Sequence, residues 1–164
     1  MAKMPRGRIT EGTFFVTAQT WERQALFQSA RMAEPFLNTL LLYREAKNYL
    51  LHEFVLMPNH FHLLITPAEA LERAVQFIKG GFSYRAKKEV GYLHEVWQRG
   101  FSDHRIRDFD DYLHHRDYIW SNPVRAGLVA RAEDYPYSSA SGKYLLDGIP
   151  QRLKPSQLVA KRHG

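Results

Sequence analysis

The chain predicts an α+β fold: a ferredoxin-like β-α-β-β-α-β sandwich with a further helix added after it. Three observations carry this. Strand-like and helix-like stretches follow the order strand, helix, strand, strand, helix, strand, helix. The second and third strands are separated only by Pro58-Asn59, where proline pre-sets φ and asparagine tolerates a tight corner, so they read as a hairpin. Each of the two long helical stretches carries one apolar stripe, which lets both lie on the same face of a sheet.

Each element has its own signal. Residues 1–11 form a basic arm containing Lys3, Arg6 and Arg8. Thr13 to Thr20 is rich in β-formers and gives the first strand, followed by a loop over Trp21 to Gln28. From Ser29 to about Asn48, Met32, Phe36, Leu40, Tyr43 and Lys47 recur at spacings of three and four, with Pro35 predicting that the regular helix starts there or just before it. Tyr49 to Met57 and His60 to Thr66 are the hairpin strands. Glu69 to about Val90 is the second helix, striped by Leu71, Val75, Ile78, Phe82 and Ala86. Gly80-Gly81 inside it predicts a bend or the close approach of another group. Val96 to Ile106 reads as the fourth strand, irregular at Gly100. Asp108 caps a third helix from Phe109 to about Ser121, with a short turn after Asn122-Pro123 stopped by Gly127. Residues 131–164, with their scattered Pro, Gly and Ser, read as a poorly structured extension with one or two short elements.

The 164 residues suit one domain able to bury its own core. A hydrophobic share of 45% with 24% charged residues excludes a disordered chain. No apolar run approaches the ~18 residues that span a bilayer, and no signal-like core follows the basic start, so the expected location is cytoplasmic. With no cysteine, any metal must be held by nitrogen and oxygen. A net charge of +6 and a pI near 9.6 favour a polyanionic partner.

Alternation along the third strand puts His60, His62 and Leu64 on one face and Phe61, Leu63 and Ile65 on the other. The second set is core. The first places two imidazoles roughly 6–7 Å apart at their Cα atoms, close enough to share a divalent ion, although either histidine could equally be a hydrogen-bonded surface residue. On the third helix Tyr118 and Asn122 stand four apart and share a face. Aimed at the histidines they would supply a nucleophile and a third ligand, in a site suited to Mg²⁺ or Mn²⁺ acting on a phosphate. Taken singly, Asn122 before proline is an ordinary helix cap and Tyr118 an ordinary core ring. Lys79, Arg85, Lys87 and Lys88 on the second helix, with Arg6 and Arg8, form either a solvated face or a phosphate-binding one. Tyr84 and Trp97 are candidates for stacking bases.

Three segments together resemble the HUH-type single-tyrosine transposases, most closely the REP-associated tyrosine transposase (RAYT) group. They are Met57-Pro-Asn-His-Phe-His-Leu-Leu64, Trp97-Gln-Arg-Gly-Phe-Ser-Asp-His104 and Tyr118-Ile-Trp-Ser-Asn-Pro-Val-Arg-Ala-Gly-Leu-Val129. The resemblance implies a transposase domain over 12–130 whose third helix is catalytic. It implies cleavage and rejoining of hairpin-containing single-stranded DNA through a 5′-phosphotyrosine at Tyr118, with His60, His62 and Asn122 on the metal. It leaves open a homodimer and completion of the site by a partner's helix. Two other readings stand beside it. One is a metal-dependent phosphodiester hydrolase using water, with a further ligand from His104, His114 or His115 (Asp103 lies in the same region). The other is a non-catalytic or domesticated binder of single-stranded nucleic acid.

Overall fold

Alternate residues of β1 (Phe14–Gln19) are buried, and this alternation sets the layers of the molecule. In the computed structural model, which describes residues 12–155, β1 pairs antiparallel with β3 (His60–Pro67) on one side and β4 (Ser102–Arg105) on the other, while β2 (Tyr49–Met57) pairs with β3. The resulting order, β2-β3-β1-β4, belongs to the ferredoxin-like arrangement. α1 (Ala30–Glu45) and α2 (Leu71–Arg85) cover one face. There Phe14, Val16 and Ala18 of β1 and Phe61, Leu63 and Ile65 of β3 meet Phe36 and Leu40 of α1 and Val75, Ile78 and Phe82 of α2. Each fully buried large side chain contributes about 1.5–3 kcal/mol. Phe27, Phe36, Phe61, Phe82 and Trp97 form a ring cluster whose contacting centroids lie 5.2–5.9 Å apart.

Local chemistry shifts several boundaries. α1 starts at Ala30, a turn ahead of the expectation from Pro35, because the Ser29 hydroxyl caps it by accepting from the Arg31 N–H at 3.1 Å. α2 runs straight through Gly80-Gly81, and the expected close approach is there: a Cβ on Gly81 would stand 2.7 Å from a Tyr43 ring carbon. After Arg85 the helix widens into a π-turn, Ala86–Val90, and stops at Gly91 with φ +76°. β4 is only four residues long. The chain ahead of it turns at Gly100 (φ +81°), and Trp97 joins the sheet by an isolated bridge to Thr20.

The second sheet face is covered, not open. α3 (Phe109–Arg125) lies across it with its N-terminus capped by Asp108, which accepts from the Asp111 N–H at 2.8 Å. Val55, Met57, Leu64, Ile106, Tyr112, Ile119, Tyr135 and Leu153 form a second core between them. α3 does not break at Asn122-Pro123. It continues to Arg125, which removes the reading of Asn122 as the cap of a new helix.

The segment 131–155 is ordered by its contacts, contrary to the expectation of a loose extension. It runs along the outer edge of β2 and takes up its outward backbone groups. The N–H groups of Leu51, Phe54 and Leu56 donate to Asp147 Oδ2 (2.9 Å), Ser139 Oγ (3.0 Å) and Tyr137 O (2.8 Å). In return Leu51 O accepts from the Asp147 N–H at 2.9 Å and Leu56 O from the Tyr135 hydroxyl at 2.6 Å. Arg44 of α1 grips the Asp147 carboxylate through two nitrogens, at 2.9 and 3.1 Å. The sequence signals for this segment are turn residues, and turn residues alone do not say where a chain packs.

Candidate active site

The site sits between β3 and α3, on the face opposite the aromatic cluster. His60 and His62 point to that face together, as the alternation of β3 requires, with ring centroids 4.8 Å apart. Each is fixed through one ring nitrogen. His62 Nδ1 lies 2.7 Å from Thr17 Oγ1 on the paired position of β1, and His60 Nδ1 lies 2.8 Å from Asn59 Oδ1 in the hairpin turn. With each Nδ1–H donating, the Nε2 lone pairs remain for a ligand. His62 Nε2 is buried and has no hydrogen-bond partner among the described residues, a costly state for a polar atom unless something else fills its valence. Burial, then the neighbouring His60 and Arg125, push the His62 pKa down to about 3. Burial and Arg23 lower that of His60. Both rings are therefore neutral near pH 7, the form that binds metal.

Tyr118 projects from α3 onto this pair. Its ring meets His62 edge-on at 5.3 Å and Phe15 at 6.0 Å, and it is 42% exposed, so a large substrate can reach it. The Arg125 guanidinium lies over the same ring, 4.3 Å from its centroid, and also bonds to Ser121 Oγ. Asn122, one turn past Tyr118, is buried at 8% exposure. Tyr112, the other tyrosine on this helix, is fully buried with its hydroxyl pKa pushed up by burial, and so is a poor nucleophile. Helix and sheet are pinned together by Glu53 of β2, whose Oε1 accepts from Trp120 Nε1 at 2.8 Å and Ser139 Oγ at 2.7 Å.

His104 and His115 do not join His60 and His62. They close on Asp111 instead, and the Phe15 ring stands between them and His62: His115 to Phe15 is 4.7 Å and Phe15 to His62 is 5.1 Å. His114 is exposed and touches His115 edge-on at 5.4 Å, and Asp103 is exposed on β4. The sequence reading passed over Asp111, Phe15, Thr17 and Arg125. Asp111 and His115 stand at i, i+4 and Arg125 seven residues after Tyr118, so the helix partners were visible as spacings; the strand partners depend on register.

The expected DNA-contacting residues divide. Trp97 is not an exposed stacking ring: it is 9% exposed, inside the aromatic cluster, with Nε1 donating to Lys79 O at 2.9 Å. An indole flanked by Phe27, Phe36, Phe61 and Phe82 stabilises the core more than it could an exposed loop. The Lys79 ammonium is also committed, donating to Gln98 O at 3.0 Å and Gly100 O at 2.7 Å. Arg85 pairs with Glu89 at 3.8 Å. Lys87 and Lys88 are exposed, and Tyr84, 63% exposed, has the Lys88 ammonium 5.9 Å from its ring. Arg6 and Arg8 lie outside the described residues. Among the described residues no helix is long and apolar enough to cross a membrane.

The family model described as "Transposase IS200 like" matches residues 13–121, from the first strand to one residue short of Asn122. A REP-associated tyrosine transposase of Escherichia coli (strain K12) is 28% identical over 155 residues, an alignment covering 90% of each chain. A solved structure of a REP-associated tyrosine transposase bound to a REP hairpin superposes with a TM-score of 0.69 at 26% identity, covering 96% of each chain. The four strands, the paired histidines of β3 and Tyr118 all fall within residues 13–121, and the chain belongs to the IS200-like transposase family as a homologue of the REP-associated tyrosine transposases.

Proposed function

We propose that the protein cleaves and rejoins single-stranded DNA in hairpin-forming repeats, with Tyr118 as nucleophile and His60, His62 and Asn122 holding a divalent ion, Mg²⁺ or Mn²⁺. The observation that carries this reading is the buried, unpartnered Nε2 of His62 beside the half-exposed ring of Tyr118. The REP hairpin bound to the structural relative supports the choice of substrate.

The chain's own groups have defined tasks. The Tyr118 hydroxyl loses its proton to water and attacks phosphorus, forming an O–P bond. The P–O3′ bond breaks, and the departing O3′ takes up a proton to become a free 3′-hydroxyl. The 5′-phosphate stays on Tyr118, and attack by a 3′-hydroxyl reverses the step, so ester is exchanged for ester and no nucleotide triphosphate is consumed. Thr17 and Asn59 orient the two imidazoles, and Arg125 holds the Tyr118 ring with a positive charge close to where phosphate must lie. A bound ion supplies Lewis-acid polarisation of that phosphate. Since Tyr118 lies against His62 of the same chain, this reading has the nucleophile acting in cis. The cytoplasm, where chromosomal DNA lies, is its expected place.

The test is a labelled single strand carrying an imperfect palindrome, incubated with the protein and Mg²⁺ or Mn²⁺. A band of protein–DNA adduct surviving denaturation is expected, lost in Tyr118→Phe while binding persists. An adduct of equal yield in the Phe variant would overturn the assignment. Cleavage without adduct, retained in Tyr118→Phe, would instead favour a hydrolase using water.

A further inference from the structure

We propose that His104, Asp111 and His115 form a second divalent-metal site, of the zinc type, that ties β4 to α3 and is separate from the His60–His62 pair. One ligand atom from each of the three residues can be chosen so that all lie within 4.8 Å of one another. His104 Nε2 is 2.8 Å from Asp111 Oδ2, and His115 Nδ1 is 3.2 Å from Asp111 Oδ1 and 2.9 Å from the Asp111 main-chain oxygen, a hydrogen bond that ligation through this nitrogen would replace. In a tetrahedral zinc site with bonds of about 2.0–2.1 Å, neighbouring donor atoms stand about 3.3 Å apart. The two short contacts run to different oxygens of the carboxylate, so ligation needs side-chain rotation that brings one atom from each residue, now within 4.8 Å of one another, to that spacing.

The surroundings are those of a ligand set. Asp111 and His115 occupy i and i+4 on α3, one above the other on a single face, and His104 comes from the facing strand. Asp111 is buried at 8% exposure and its Oδ2 is oriented by the Arg107 N–H at 2.9 Å, an outer contact that leaves Oδ1 for an ion. Burial opposes its charge, but the Arg107 N–H and the two imidazoles outweigh it and hold the carboxyl below its ordinary range. The His104 side chain is 39% exposed, giving an ion a path from solvent. Two imidazoles and one carboxylate, without a thiolate, leave a fourth position for water and suit Zn²⁺ or Co²⁺ better than Mg²⁺. The rings of His104 and His115 are stacked, 4.7 Å apart, and turn toward each other when their in-plane lone pairs meet on one ion. An ion here would fasten a four-residue edge strand to the helix that carries Tyr118 three residues beyond His115.

The competing description is a plain hydrogen-bonded bridge, in which His104 donates to the Asp111 carboxylate, His115 donates to the Asp111 main-chain oxygen, and no ion is taken up. Cobalt titration of the full chain, stripped with chelator, separates the two. In the His60→Ala/His62→Ala protein we expect one equivalent of Co²⁺ with the visible absorption of a low-coordinate site, displaced by Zn²⁺ and accompanied by a rise in melting temperature. Adding Asp111→Asn, or separately His115→Ala, should weaken binding at least tenfold and remove the rise. In the otherwise wild-type chain the count should be two equivalents, falling to one in Asp111→Asn. A wild-type count of one that falls to none in Asp111→Asn would keep this site and sink the His60–His62 assignment. Absence of stoichiometric binding in the His60→Ala/His62→Ala protein, or equal binding with and without Asp111, would overturn the proposal, provided circular dichroism shows that protein folded. Should it not fold, a wild-type count unchanged by Asp111→Asn and by His115→Ala does so.

Discussion

Adjacent residues of β3 serve opposite faces, and a pair of substitutions one position apart makes this measurable. Phe61 is fully buried, its ring 5.2 Å from that of Phe36 and 5.4 Å from that of Trp97. Truncation to alanine empties the centre of the aromatic cluster, at a cost of about 3–5 kcal/mol for a buried phenylalanine. For a chain of this size each kcal/mol lowers the melting temperature by about 2–4 °C, so Phe61→Ala should melt ~6–20 °C below the wild type. His60 is half-buried on the other face and bonds to Asn59, next to it in the chain; His60→Ala should cost about 1 kcal/mol or less. Paired thermal melts by circular dichroism and adduct assays below both melting points should then cross. Phe61→Ala loses stability and keeps chemistry, whereas His60→Ala keeps stability and loses chemistry. A His60→Ala protein melting as low as Phe61→Ala, or a Phe61→Ala protein within ~2 °C of wild type, would refute the two-faced account of this strand.

Three more expectations follow from contacts already described. Gly81→Ala should destabilise, because the new methyl meets the Tyr43 ring that stacks on Phe77 at 5.2 Å, whereas Gly80→Ala meets nothing within 4 Å and should gain about 0.5–1 kcal/mol in urea titrations. The Asp147 carboxyl is opposed by burial but held below its ordinary range by Arg44 and the Leu51 N–H. Its stabilisation is therefore complete above the unfolded value of about 3.9 and is lost as pH falls through the lower folded value. Asp147→Asn should cost about 1–3 kcal/mol at pH 7 and flatten the acid limb of stability against pH. If Lys87 and Lys88 bind phosphates, their joint replacement by alanine should shallow the salt dependence of single-strand affinity by roughly 1.4 in the log–log slope, at about 0.7 per contact. An unchanged slope would leave that surface merely solvated.

The regular elements were legible because each carried its own period: the stripe from Leu71 to Ala86 and the alternation from His60 to Ile65 depend only on local geometry. The paired histidines were legible for the same reason. Contacts that depend on register were not. Nothing near Thr17 in the chain says that β1 will bring its hydroxyl to His62, and Trp97, which reads as an exposed ring on an irregular fourth strand, is drawn inside by phenylalanines from four other segments. Pro123 misled in another way. A proline usually ends a helix, but α3 is held past it by its packing on the second core, with the Leu128 N–H closing on Pro123 O at 2.9 Å.

The pairing of residues 135–147 along β2 has a bearing on how copies of this protein meet. A sheet grows when a stranger's strand finds an unoccupied row of donors and acceptors, and that row is the usual nucleus of runaway association. On the β2 side the N–H groups of Leu51, Phe54 and Leu56 are already engaged by the chain's own later residues. On the opposite side β4 offers only four residues, Ser102–Arg105, with arginine at the end. A crowded cell therefore finds little on this molecule to zip onto. Among the described residues, contact through side chains on the helices and loops is the route left to a second copy that edge pairing does not offer.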